Sequence, residues 1–163
     1  IPGSGPPLNL ESLVLWFASD SWYIAWAHRG SVKEQSILFW GSIDLFADVI
    51  TIHKEDSIFV NVPWPILDKR HMSDMDLDSD GILWAAATSD PGDDGPFESG
   101  IYKIGKFQKQ NHKMEFFIAD SFPKQFVFQR NKVEAFTIAG NKKVFATDDE
   151  NLGAAINISI NGK

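Results

Sequence analysis

The apolar residues of this chain come in short runs of five to eight, rich in Val, Ile, Phe and Trp, each closed by a small cluster of polar turn formers. Such side chains suit a pleated, half-buried surface, so the runs read as strands. The best helix candidate, residues 32–40, carries β-branched residues and an aromatic pair without a cap or a sustained 3.6-residue period. Strands are expected at 11–17, 22–28, 36–40, 48–53, 58–62, 74–77, 82–88, 100–105, 114–120, 133–139, 143–147 and 154–160. An all-β antiparallel fold follows, as a sandwich, a barrel or a propeller.

Composition supports a folded chain and narrows its partners. With 163 residues, 44% of them hydrophobic, there is enough chain for one domain with a real core. Residues 1–7, Ile-Pro-Gly-Ser-Gly-Pro-Pro, read as a flexible tether, and residues 8–163 as a single all-β domain. The net charge of −7 argues against nucleic acid or an anionic membrane as the main partner. The absence of cysteine excludes disulfides, thiolate catalysis and cysteine-built zinc sites. No apolar run approaches the roughly 20 residues that cross a bilayer, so a soluble chain is expected. The start at Ile1, without Met, suggests processing or truncation, and tips the compartment toward an extracellular or periplasmic one without fixing it.

An internal repeat is visible. Glu11 and Trp22, Asp48 and Phe59, and Glu134 and Phe145 stand eleven apart, and Asp74 and Trp84 ten apart, with a polar turn inside each pair. This is one hairpin pattern met four times, and about 47 residues from Asp74 hold four strand-like runs, the content of a propeller blade. The 26 residues from Asp48 to Asp74 are too few for another blade, so one early hairpin can be the outer half of the first. Three to four blades are expected, with a sandwich of two six-stranded sheets as the rival.

Hairpin geometry converts the repeat into a candidate site. The start of the first strand and the end of the second share one sheet edge. That puts Glu11, Asp48, Asp74 and Glu134 beside the segments leaving the second strands: His28-Arg29-Gly30, Pro63-Trp64-Pro65, residues 89–95 and Asp148-Asp149-Glu150. Carboxylates are costly to bury unpaired, so they require partners. Either they tie neighbouring strands together through backbone hydrogen bonds, or they surround a ligand. The ligand-binding candidates are Glu11, His28, Arg29, Trp64, Asp74, Asp90, Asp93, Asp94, Glu134, Asp148 and Asp149. For a metal, the oxygen donors Asp74, Glu134 and Asp148 suit Ca²⁺ or Mg²⁺ rather than zinc.

The remaining motifs have mostly local readings. Residues 76–81, Asp-Leu-Asp-Ser-Asp-Gly, match the start of an EF-hand loop, but its twelfth position is Ala87 and a strand follows, so a hairpin turn is expected. The acidic loop that starts at Ser89 is the longest turn-rich insertion and a natural place for binding. Arg29 offers a fork for phosphate or carboxylate, with Glu11 or Asp149 as the alternative internal partner. Trp64, bracketed by prolines, could stack on a flat ligand. His53, His71 and His112 read as surface or satisfied core histidines, and the sequon Asn157-Ile158-Ser159 lies within a strand.

The segments Leu10-Glu11-Ser12-Leu13, Val133-Glu134-Ala135-Phe136 and Asp74 through Trp84 resemble inner hairpins of bacterial β-propellers, notably the esterase-like phytase family and related propellers. The resemblance covers about two thirds of the chain and rests on a strand-Asp-Gly-strand hairpin common to many propellers. It implies four-stranded blades, a ligand site at the channel mouth, and divalent cations. Closed rings of that kind take more blades than this chain supplies, so either this is part of a longer chain, or a second copy or a companion chain would complete the propeller. The leading functional expectation is a binding or interaction module with an acidic mouth. The alternative is a Ca²⁺-dependent phosphoesterase in which carboxylates hold the metal and Arg29 orients the phosphate.

Overall fold

The computed structural model describes residues 8–52 and 56–160, so the expected tether and the turn residues His53, Lys54 and Glu55 lie outside the described residues. The fold is all-β, and every strand pairing is antiparallel. Three sheets follow one another along the chain. Sheet A holds β1 (Leu10–Ala18), β2 (Ser21–His28), β3 (Ser36–Asp44), β4 (Val49–Thr51) and β5 (Ser57–Val60). Sheet B holds β6 (Lys69–Leu77), β7 (Ile82–Ser89), β8 (Glu98–Gln110), β9 (Lys113–Ile118) and β10 (Lys124–Gln129). Sheet C holds β11 (Val133–Ala139), β12 (Lys142–Asp148) and β13 (Ala154–Ile160), with a 3-10 turn at Glu150–Leu152.

Each sheet opens with a hairpin whose turn chemistry is readable. Ser19 and Asp20 adopt φ of 48° and 62°, as a two-residue turn that follows strand twist requires. Between β6 and β7 the Asp78 carboxylate accepts from the amides of Asp80 and Ile82 at 3.0 and 2.9 Å and from the Trp84 indole at 2.8 Å. Gly81 sits at φ +78°, and a Cβ there would lie 2.8 Å from the Phe107 carbonyl oxygen. The EF-hand-like run is therefore a hairpin turn.

Three expectations about strands are corrected. The segments 48–53 and 58–62 do not form a hairpin with each other; β4 and β5 both pair with β3, Ile43 opposite Ile50 and Ser36 opposite Val60. β3 runs for nine residues, long enough to carry two short partners end to end, and Asp48 lies in the turn before β4 at φ 54°. β6 begins at Lys69, five residues before Asp74. β10, where Phe126 and Phe128 turn inward on either side of the exposed Val127, lies outside the expected strands.

Sheet B lies between the other two. Leu83, Ala85 and Ala87 of β7 join Val14, Tyr23, Ala25 and Ala27 of sheet A in one core, while Trp84 and Ala86 join Phe136 and Phe145 of sheet C in another. The period-2 alternation of one fully buried strand thus serves two seams. Register shows the sheets to be equivalent: Ser12 is opposite Ala27, Asp74 opposite Ala86, and Ala135 opposite Ala146. These positions on the first strand of each sheet are 62 and 61 residues apart. β6 has β1 on one side and β11 on the other.

Candidate functional site

The first hairpins of the three sheets share an irregularity at the same end. Register shifts between Leu10 and Ser12, between Arg70 and Asp74, and between Val133 and Ala135. A bulge re-aims the extra side chain and ends regular pairing. In β1 and β11 that extra residue is a glutamate, Glu11 and Glu134.

Both glutamates turn toward Arg70 of the strand between them. The Arg70 guanidinium lies 3.9 Å from Glu11 and 3.7 Å from Glu134, and is bound closely by Asp90 from the loop after β7. Arg29 closes one side by donating to Glu11 at 2.7 Å. Lys132 closes the other, 3.7 Å from Glu134 and in a short hydrogen bond with Glu150. Four carboxylates and three cations, contributed around all three sheets, meet at one end of β1, β6 and β11.

The electrostatics of this cluster are set by partial burial. Burial pushes the Glu134 carboxyl up, helped by Glu11 and Asp90 and opposed by Lys132 and Arg70, and its Oε1 has no hydrogen-bond donor. Burial alone would pull Lys132 down. The Glu150 hydrogen bond and the fields of Asp90, Glu134 and Glu150 outweigh it, so the ammonium is held more firmly protonated.

The other candidates have identifiable places. His28 is buried at the end of β2, its Nδ1 accepting from the Asn9 amide at 2.9 Å and its Nε2 3.4 Å from Glu34. Asp74 stands one register position past the bulge, where its carboxylate accepts from the Phe136 amide at 2.7 Å. Asp76 accepts from the Ile138 amide at 2.7 Å, so the two acids bind β11 to β6 along its length. This is the strand-tying arrangement set out above as the alternative for inner-strand acids. Burial raises the Asp74 carboxyl to about 6, the Phe136 and Met75 amides lowering it less than burial lifts it.

Asp93 and Asp94 face sheet C: the Asn151 amide donates to the Asp93 carbonyl at 3.3 Å, and its side chain to the Asp94 carboxylate at 3.2 Å. Asp148 accepts from the Glu150 amide at 3.2 Å. Asp149 is buried, taking hydrogen bonds from the Lys132 amide at 2.6 Å, the Asn131 side chain at 2.8 Å and the Thr147 hydroxyl at 3.0 Å. It holds the segment that carries Lys132. Trp64 packs over β8, where a Cβ on Gly100 would touch its ring at 3.0 Å. The Tyr102 hydroxyl donates to the Trp64 carbonyl at 2.7 Å, and the Lys124 ammonium sits 4.8 Å from the indole.

The structure therefore joins Glu11, Arg29, Asp90 and Glu134, and leaves Trp64 and Asp74 outside the cluster. The three metal candidates do not converge: Asp74 faces β11, Glu134 faces Arg70 and Lys132, and Asp148 turns to Glu150. Among the described residues no three His, Cys, Asp or Glu side chains are grouped to hold a metal. Sequence reasoning missed Arg70 and Lys132. The signal available was charge: Lys69-Arg70 is a basic doublet just before an inner strand, and Lys132 directly precedes another.

Comparison with known proteins finds no matching family model, curated protein or solved structure.

Proposed function

We propose that the chain forms three consecutive blades of a β-propeller and acts as a binding module for a positively charged partner, with the charged end of β1, β6 and β11 as its working face. The observation that carries this reading is the meeting of two bulge carboxylates, Glu11 and Glu134, on Arg70 of the intervening strand. The blade reading is supported by the equivalent registers at spacings of 62 and 61 residues and by a middle sheet packed on both faces. The sign of the partner follows from charge: carboxylates outnumber cations in the cluster, Glu134 has an oxygen without a donor, and the whole chain carries −7. An ammonium or guanidinium group entering between the glutamates would supply that missing donor.

The test is a calorimetric and NMR titration with spermidine and a short lysine-rich peptide at low salt. Binding is expected to weaken as salt rises and to fall at least tenfold in the Glu11→Gln/Glu134→Gln variant. Equal binding by that variant, or none by the native chain, overturns the reading. The phosphoesterase alternative draws on the two guanidiniums that share Glu11. Ca²⁺-dependent turnover of a phosphomonoester, lost in Arg29→Gln, would put hydrolysis in place of binding.

A further inference from the structure

We infer that the positively charged partner is a protein segment whose Lys or Arg side chains are flanked by aliphatic ones, rather than a small polyamine or a purely basic tail. The inference rests on the binding reading above and names the kind of molecule that reading admits. Four exposed aliphatic side chains stand on connecting loops at the charged end. They are Val32 between β2 and β3, Ile66 and Leu67 before β6, and Leu152 between β12 and β13, at 58%, 69%, 72% and 66% exposure. A single exposed leucine is ordinary on a protein surface. These four differ in being grouped around one cluster of charge, on loops rather than on a sheet face.

Each of the loops is tied to that cluster. Val32 follows Arg29 by three residues, in a turn closed by mutual amide-to-carbonyl bonds of Ser31 and Glu34 and held by the His71 ring, which donates to the Ser31 carbonyl at 3.2 Å. Leu67 precedes Arg70 by three residues. Next to it the Asp68 carbonyl accepts from the Asp90 amide at 2.9 Å, and the Lys69 ammonium folds back to the Val62 carbonyl at 2.8 Å, which closes the loop. Leu152 follows Glu150 by two residues, its amide donating to the Asp149 carbonyl at 2.9 Å, while the neighbouring Asn151 amide donates to the Asp93 carbonyl. Side chains presented on backbone that is already fixed lose less freedom on binding.

Charge selects the occupant. The same loops carry the exposed acids Glu34, Asp68, Asp93 and Asp94 against Lys33 and Lys69, so the excess of carboxylates in the cluster continues outward around the aliphatic side chains. A surface of this sign repels an acidic partner and steers a basic one toward it. Water then separates the basic partners. A polyamine leaves Leu67 and Leu152 wet, and its ammoniums pair with the glutamates in a high dielectric. A cation flanked by aliphatic residues covers those side chains, shuts water out around the pair and strengthens it.

The test is an isothermal titration of the native chain with spermidine and with two peptides of equal charge, one bearing leucines on both sides of a Lys-Lys pair and one bearing serines there. The leucine peptide is expected to bind at least tenfold more tightly than the serine peptide. That ratio should hold as salt rises while both affinities fall, because apolar burial is not screened. Leu67→Ser/Leu152→Ser should bring the ratio close to one. Spermidine has no apolar side chain to cover the leucines and should bind this variant as it binds the native chain. Equal affinity of the native chain for the two peptides, or a ratio that survives Leu67→Ser/Leu152→Ser, overturns the inference while retained spermidine binding leaves the charge reading standing. Absence of binding by spermidine and both peptides overturns the charge reading and the inference together.

Discussion

The two seams of this molecule are built from different materials. Between sheets A and B the contact is apolar and aromatic: Phe107 lies with its ring centroid 4.7 Å from those of Trp16 and Phe116, and 6.0 Å from that of Trp40. Between sheets B and C a smaller apolar core is joined by directional bonds. Asp74 and Asp76 hold the amides of β11, and the buried hydroxyls of Ser73, Thr88 and Ser99 form a chain at 3.1 Å that grips the backbone from Asn131 to Val133. An apolar seam resists separation but tolerates sliding, whereas hydrogen bonds to backbone fix register. Sheet B is thus held to A chiefly by burial, with the His71 and Met72 amides donating to the Arg29 carbonyl and the Trp40 indole to the Met114 carbonyl, and is indexed to C by carboxylates and hydroxyls.

The first way to break the comparison is the largest. Phe107→Ala empties the centre of the A/B seam and should cost about 3–5 kcal/mol, read as a lower urea midpoint. Asp76→Ala strikes the other seam. It leaves the Ile138 amide without its acceptor and should cost about 1–3 kcal/mol. Hydrogen exchange separates the two: amides of Phe136 and Ile138 should speed up in Asp76→Ala while those of Ala25 and Ala27 keep native protection. Equal acceleration in sheet A would mean that the seams open as one unit and their difference has no energetic consequence.

The polar seam also shows where sequence reading stopped. The strand class, three of the four expected hairpins and the limits of β11 and β13 follow from alternation and turn residues, because those signals are local. Bulges are not local. Grouping Asp74 with Glu11 and Glu134 is off by one position, since the glutamates are the inserted residues and Asp74 is a paired one. One position along a strand reverses the side chain, which is why the glutamates reach Arg70 and Asp74 reaches β11. Arg70 was hidden because Lys69-Arg70-His71 reads as a polar break, while its strand continues through the run by burying His71, Met72 and Ser73.

A middle-sized effect sharpens the comparison through pH, because each seam flank holds one buried titrating group on β6. His71 is neutral, its Nδ1 accepting from the Val62 amide and its Nε2 donating to the Ser31 carbonyl, and burial, aided by Lys69, lowers it to about 4. The folded chain then binds fewer protons than the unfolded one between pH 4 and 6.5, so His71 makes stability rise with pH there. Asp74, raised to about 6 by burial, does the reverse from its ordinary 3.8 upward, because the folded chain holds the extra proton. The two slopes oppose each other between pH 4 and 6. Urea titrations should show His71→Gln losing stability as pH rises across that window and Asp74→Asn gaining it, each by at most about 1.4 kcal/mol per pH unit. Parallel curves for both variants would refute the opposition.

The smallest stability effect belongs to the charged end, where the two seams meet. Arg70 and its glutamate partners are each about a quarter exposed, with Arg70 at 23%, Glu11 at 24% and Glu134 at 29%. Solvent screens the glutamate pairs, so Arg70→Gln/Asp90→Asn, which also neutralises the 9%-exposed acid that Arg70 binds closely, should change the unfolding free energy by less than about 1 kcal/mol. The local effect of Arg70→Gln is larger. Glu134 loses one of the two cations that hold it down, so its carboxyl resonance should titrate at higher pH than in the native chain. A large loss of stability with an unmoved Glu134 would make Arg70 a structural pin between the sheets. Small cost with a displaced titration is what an exchangeable counter-charge requires, because a partner's cation can replace it only where the fold does not depend on it.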